Sequence, residues 1–180
     1  YSKATKADVF RSAKAKGLDD LILVPYVNVN LGNNSGAIKV HKQHIKLWGV
    51  TQREVIDTAI KNSKNDMAIQ SLMEFYGSMM FCSNRPLVLP VNPKSEIING
   101  PIVVTNTHTE HGASAILGLI PALKKKYPMG FYVIPSSVHE TIVLPKGYGH
   151  DIEGLTEMVK EVNQSVLDPV DVLSDKAYEF

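Results

Sequence analysis

A short segment in the C-terminal half, residues 131–145, limits the possible folds of this chain most strongly. Its sequence, FYVIPSSVHETIVLP, contains two apolar runs rich in β-branched and aromatic residues, which favour strands. Pro135 cannot donate to a strand ladder and marks the end of the first run, and the two serines that follow it are typical turn residues. The segment therefore predicts an antiparallel β-hairpin that pairs Phe131–Ile134 with residues 141–144.

The remaining strand and helix patterns alternate irregularly along the chain. Residues 21–30 and 37–41 flank a turn cluster and predict a second hairpin, while residues 102–105 predict a strand in the same sheet as the first one. There are no repeated β-α-β units, so the pattern predicts an α+β fold with a mainly antiparallel sheet and helices packed on it. Helices are predicted at residues 7–16, 51–63, 67–80, 110–120 (with Pro121 as a break) and from Asp151 onward, and Asp168-Pro169 predicts a short helical turn.

The clearest helix start is Thr51-Gln52-Arg53-Glu54. In such a capping box the threonine hydroxyl accepts from the glutamate amide, and the glutamate carboxylate reaches back to the threonine amide. Val50 and Val55 occupy the positions of a hydrophobic staple around this start.

Length and composition predict a single α+β domain over residues 1–180. Residues 82–100 contain three prolines and are interpreted as an internal connection. Because the chain begins at Tyr1 rather than at methionine, residues 1–20 are interpreted as the remainder of a trimmed N-terminal segment.

Charge and cysteine usage narrow the class of partner and the compartment. The 19 basic and 18 acidic residues nearly cancel, which argues against a nucleic-acid partner. No apolar run approaches the ~20 residues of a membrane span, so no membrane partner is expected. Cys82 has no second cysteine to pair with; a cytoplasmic protein with a partly buried structural thiol is expected.

Several pieces of the chain, in order, resemble an uncharacterised family of small proteins, mostly from anaerobic Gram-positive bacteria. They are HKQHIKLWGVTQRE, PIVVTN, GASAIL, FYVIPSSVHETIVLP, LTEMVKEVN and VLSDKAYEF, and they span roughly residues 20–180. The Ile-Pro-Ser-Ser-Val-His-Glu run and the closing Leu-Ser-Asp are the most specific parts. The chain departs from the family pattern at residues 108–112 and 118–121. The resemblance implies a fold but no activity, substrate or catalytic residues.

His139 and Glu140 are the ionisable residues inside the strongest structural signal. As neighbours on a strand they would point to opposite faces, and no second histidine completes an HExxH zinc motif. We expect the His139 ring to cap the turn through the backbone of Ser136 or Ser137. An acid–base or ligand-binding role for His139 and Glu140 is the alternative.

A second group of polar residues, Asn106, His108, Glu110 and His111, follows the strand at residues 102–105. Strand-to-helix turns often bind small ligands because helix N-terminal amides point into the crevice. This turn could therefore hold an anion or, together with His139, a metal. The alternative is a solvated loop in which Thr107 or Thr109 caps the helix.

Two further patterns have simpler structural explanations. Ser136 and Ser137 precede a histidine, but they lack the flanking glycines of a nucleophile elbow, so turn formation explains them better. The spacing of His41 and His44 is a weak indication of a pair of metal ligands. We expect Trp48 to pack over the core as a lid at the entry of the capped helix.

These observations predict a non-catalytic binding or regulatory module with no evident cofactor and no assigned metal site. The predicted ligand-binding residues are Asn106, His108, His111, Ser136 and Ser137, and the ligand is an unidentified protein or small molecule. The alternative is a hydrolase-type enzyme that uses His139 and Glu140, with or without a metal.

The capping box gives a first test. Replacing Thr51 by Ala removes the hydroxyl acceptor and should lower the free energy of unfolding by about 1 kcal/mol. Denaturant unfolding of the two proteins measures this difference, and an unchanged midpoint would show that Thr51 does not cap the helix.

Overall fold

The computed structural model describes residues 14–15, 17–31, 34–81, 99–107, 111–135 and 137–180. The chain divides after Asn62 into two compact units. Within the range of the helix predicted at residues 7–16, the structure describes Lys14 and Ala15. These two residues form a short strand. The predicted connection at residues 82–100 lies outside the described residues, except for residues 99–100. Cys82, predicted to be a partly buried thiol, also lies outside them.

Within its described residues, the first unit contains two antiparallel hairpins and a small apolar core. Pro25 interrupts the strand predicted at residues 21–30, since it cannot donate to a ladder, and its carbonyl instead accepts from Val40 N at 2.9 Å. Val40 and Ile45 are buried, with Val55 and Ile56 packed against them. The elements are β1 Lys14–Ala15 paired with β2 Leu18–Ile22, β3 Tyr26–Leu31 paired with β4 Asn34–Lys39, α1 Lys42–Trp48, and α2 Gln52–Asn65, which runs past the division.

The capping box at the start of α2 is confirmed. The Thr51 amide donates to Glu54 Oε2 at 2.7 Å, and the Glu54 amide donates to Thr51 Oγ1 at 3.3 Å. The bonds from Thr51 to the carboxylate favour its ionised form and lower the pKa of Glu54.

Trp48 does not act as the predicted core lid, because about half of it is exposed. Gly49 ends α1 in the left-handed conformation, and Trp48 lies in the last turn of that helix. Its ring stacks on the His44 ring instead, with 5.6 Å between the ring centroids. His44 Nδ1 accepts from the His41 amide at 3.1 Å, so this histidine caps α1.

The second unit is built on a five-stranded antiparallel sheet, and the predicted α+β class is confirmed. The elements are β5 Met67–Ser71, α3 Leu72–Phe81, β6 Ile102–Asn106, α4 Ile116–Lys126, β7 Phe131–Ile134, β8 Thr141–Pro145, α5 Ile152–Ser165 and β9 Tyr178–Glu179. The central pairing is the predicted hairpin of β7 and β8, in which Val133 lies opposite Val143, and β6 pairs with the other side of β8 in the same sheet. The strand order is β5-β6-β8-β7-β9.

The prediction of one helix over residues 67–80 is wrong at its start. Residues 67–70 are all buried in edge strand β5, and the helix begins only at Leu72. A second capping box sets this boundary: the Ser71 amide donates to Glu74 Oε2 at 3.2 Å, and the Glu74 amide donates to Ser71 Oγ at 3.1 Å.

α5 covers one face of the hairpin. Leu155 and Val159 pack against Tyr132, Ile134 and Leu144. Asp151 caps the helix as predicted, since its Oδ1 accepts from the Gly154 amide at 2.7 Å. Met158 and Val162, which have helical spacing from Leu155 and Val159, are exposed.

The Leu-Ser-Asp segment near the C-terminus ties α5 to the last strand. Buried Asn163 on α5 donates from Nδ2 to the Ser174 carbonyl at 2.9 Å and to Asp175 Oδ1 at 2.8 Å. Ser174 Oγ lies 2.8 Å from the Tyr178 hydroxyl, and Tyr178 belongs to β9. This motif therefore orders the chain that leads into the edge of the sheet.

A 3₁₀ turn, Gly112–Ala115, leads into α4, which replaces the helix predicted at residues 110–120. α4 continues through Pro121, because this exposed proline removes one amide donor but leaves the rest of the helix ladder in place.

The stretch predicted as a helical turn at Asp168-Pro169 forms a single hydrogen-bonded turn, in which the Asp171 amide donates to the Asp168 carbonyl at 2.9 Å.

Gly112 is in tight contact with both β6 and the hairpin connection. A Cβ at this position would collide with Thr105 Oγ1 and would lie 2.6 Å from the Asn106 nitrogen and from the His139 carbonyl oxygen. Two of these three atoms belong to the backbone and cannot rotate away. The turn can therefore approach the sheet this closely only with glycine at this position.

Replacing Gly112 by Ala should lower the free energy of unfolding by about 1–3 kcal/mol, the usual scale of overpacking. Gly77 is the matched control, because it lies inside α3 with nothing within 4 Å of an added Cβ. Its replacement by Ala should be neutral or stabilising by up to about 1 kcal/mol. Equal effects in chemical denaturation would contradict the packing argument.

Candidate functional site

Two segments that the sequence singled out lie side by side at one edge of the sheet of the second unit. The Ala113 amide donates to the Val138 carbonyl at 3.1 Å, and the Thr141 hydroxyl donates to the Ala113 carbonyl at 3.1 Å. Thr105 Oγ1, near the end of β6, donates to the His139 carbonyl at 2.8 Å. The 3₁₀ turn and the hairpin connection are therefore held together by backbone and hydroxyl groups.

The His139 ring lies between two other segments. Its Nδ1 accepts from the His111 amide at 3.2 Å, and its Nε2 lies 3.3 Å from Asp171 Oδ1. An Nδ1 that accepts has no proton, so the proton of the neutral ring is on Nε2 and faces the carboxylate. The His111 ring lies beside it, with 5.5 Å between the ring centroids.

No sequence pattern predicts that Asp171 joins this site. It lies in the turn that follows Asp168-Pro169, and its backbone carbonyl accepts from the Val138 amide at 2.9 Å. Ser137 also forms an isolated antiparallel bridge with Val172. These backbone contacts bring the Asp171 carboxylate to the His139 ring.

The expectation that His139 and Glu140 lie on a strand is wrong, because β8 begins only at Thr141. The expected cap is also reversed. The His139 amide donates to the buried Ser137 hydroxyl at 3.0 Å, so the serine side chain stabilises the turn and the imidazole is used elsewhere. The two residues lie in the hairpin connection, where strand alternation does not separate their side chains.

Glu140 is mostly buried beside this ring. Burial raises the pKa of its carboxyl group above the ordinary value of 4.5, and the charge of Asp171 acts in the same direction. His139 and a hydrogen bond with the Ser137 side chain act in the opposite direction and only partly offset the burial.

The other predicted site residues are placed as follows. Asn106 is buried at the end of β6, and His111 is exposed at the start of the 3₁₀ turn. His108 and Ser136 lie outside the described residues.

Within the described ranges, no three histidine, cysteine, aspartate or glutamate side chains come together in a way that could hold a metal ion. None of the helices in those ranges is long and apolar enough to cross a membrane.

The sequence model of a family of unknown function, DUF5688, matches residues 4–180, so the chain belongs to this family. No curated protein and no solved structure matches the chain.

Replacing Glu140 by Gln should change how stability depends on pH. Because folding raises the pKa of this carboxyl group, the wild type loses stability as pH rises from the ordinary value of 4.5 through the folded-state pKa, and the loss persists above it. The variant cannot ionise and should gain stability relative to the wild type over that interval. Urea unfolding at about pH 4 and about pH 7 measures both. A difference that is the same at both pH values would contradict this account.

Proposed function

We propose that this DUF5688 protein is a non-catalytic binding module. Its ligand would contact the accessible side chains of the His139 cluster, which consists of His111, Ser137, His139, Glu140 and Asp171. In this cluster the buried Ser137 stabilises the turn. These residues come from the 3₁₀ turn, the hairpin connection and the turn after α5, so one ligand could contact all three segments.

The observation that carries this proposal is the engagement of both His139 ring nitrogens within the protein. Nδ1 accepts from the His111 amide, and Nε2 faces Asp171. A general base needs a free ring nitrogen within hydrogen-bond reach of the proton that it removes. An imidazole held in this way is better suited to ordering a binding surface than to moving protons.

The nearest hydroxyl is also poorly placed for nucleophilic chemistry. Ser137 is buried, and its Oγ accepts from the His139 backbone amide rather than donating to the ring. A serine nucleophile is activated when it donates its proton to a base. The Ser137 side chain hydrogen-bonds to Glu140 instead, and the bonds of the described residues include none from this hydroxyl to the His139 ring.

The cluster presents acceptors to a ligand. The Asp171 side chain is about a third exposed, and neither Asp171 nor Glu140 forms an ion pair with a lysine or arginine among the described residues. A ligand that carries an ammonium or guanidinium group would complement these carboxyl groups. Such a group occurs in small amines and in lysine or arginine side chains of a protein partner.

One observation favours the alternative, a hydrolase-type enzyme that uses His139 and Glu140. A carboxylate that faces an imidazole, beside a second carboxyl group with a raised pKa, is also a common arrangement in acid–base catalysis. In that case His139 Nδ1 would release the His111 amide and accept a proton from the water that attacks the substrate.

Titration with Nα-acetyl-arginine amide, followed by amide NMR shifts, tests the binding proposal. Shifts should concentrate in residues 111–113 and 137–141, and the double variant E140Q/D171N should bind at least about tenfold more weakly, since charged hydrogen bonds are lost. Succinate, which carries carboxylates instead, is the matched probe and should produce no shifts there. Stronger binding of succinate, or shifts spread over the surface, would contradict the proposal.

Turnover of p-nitrophenyl acetate separates the two functions. For a binding module, the wild type and H139N should release nitrophenol at the same rate. A wild-type rate that falls at least about a hundredfold in the variant, the scale of a lost general base, would favour the hydrolase.

A further inference from the structure

We infer that the contact between His139 and His111 is a proton-operated latch: protonation of the His139 ring releases the His111 backbone from the hairpin connection. The latch is a property of the free protein. Its use as a control on ligand binding rests on the function proposed above.

The geometry of the contact makes it sensitive to protonation. His139 Nδ1 is the acceptor for the His111 amide at 3.2 Å. A second proton on the ring can go only to Nδ1, since Nε2 already carries the proton that faces Asp171. Two donors would then face each other, and the bond would be lost.

His111 has a reason to move once this bond is lost. Its backbone is in the left-handed conformation, with φ 52° and ψ 33°, and it is the only described residue other than glycine with a positive φ. This conformation costs of order 1 kcal/mol or more for such a residue and persists only where surrounding contacts impose it. The amide bond to the His139 ring is one of these contacts.

The charged groups around the ring favour the released state after protonation. Asp171 faces Nε2 from the turn after α5, and Glu140 follows His139 in the hairpin connection. Both carboxylates attract an imidazolium ion, whereas the His111 ring, with its centroid 5.5 Å away, would repel it if it were also charged. Protonation therefore exchanges the hydrogen bond to His111 for an ion pair with Asp171.

The release should be local. The neighbouring bonds from the Ala113 amide to the Val138 carbonyl and from the Thr141 hydroxyl to the Ala113 carbonyl involve no group that titrates. The 3₁₀ turn should stay on the sheet while His111 moves.

A protonated ring also makes the cluster less negative, so a cationic ligand would be bound at neutral pH and released in acid.

Amide hydrogen exchange of the ligand-free protein tests the latch. After correction for intrinsic exchange, protection of the His111 amide should fall by about tenfold over the pH range in which NMR shows the His139 ring to titrate. Protection of the Ala113 amide, the internal control, should not follow this transition. Unchanged His111 protection, or equal loss at both amides, would overturn the inference.

Two variants sharpen the test. In H139N the asparagine carbonyl can still accept from His111 but cannot be protonated, so His111 protection should no longer depend on pH. In D171N the contact between His139 Nδ1 and the His111 amide is kept, so His111 protection should still depend on pH. If H139N keeps the wild-type pH dependence, the latch is wrong even when the arginine probe binds. If the latch is present and the probe does not bind, only the proposed ligand chemistry fails.

Discussion

The close packing of Gly112 against β6 and the hairpin connection is the constraint on which the candidate site depends. The absence of a side chain allows the 3₁₀ turn to approach the Asn106 nitrogen and the His139 carbonyl oxygen. The Ala113 amide and the Thr141 hydroxyl then fix the turn on the sheet. Only with these backbone contacts in place can the His111 amide reach the His139 ring.

The second contribution comes from the turn after α5. Asp171 is held against the hairpin connection through its backbone carbonyl, and its side chain faces the ring nitrogen that the first contact leaves free. His139 thus joins three segments that are distant along the chain. The ring orders the site, which is why we propose a role in binding rather than in proton transfer for the cluster.

The sequence predicted the features that local chemistry determines. The hairpin follows from two β-branched runs around Pro135, and the start of α2 follows from the threonine and glutamate of its capping box. The same rule applied to Ser71 and Glu74 would have corrected the helix predicted over residues 67–80. There, the apolar residues belong to a buried strand and not to the buried face of a helix.

The site could be predicted only in part, because its partners are set by tertiary contacts. A contact between His139 and the turn at residues 105–111 follows from the meeting of strand ends at one sheet edge, but the role of Asp171 depends on where the chain returns after α5. The most direct test of the central claim is the tautomer of His139, read from ring ¹⁵N shifts by long-range NMR correlation above the pH at which the ring titrates. The account predicts the tautomer with its proton on Nε2. A proton on Nδ1 would contradict it, since the His111 amide would then have no acceptor on the ring.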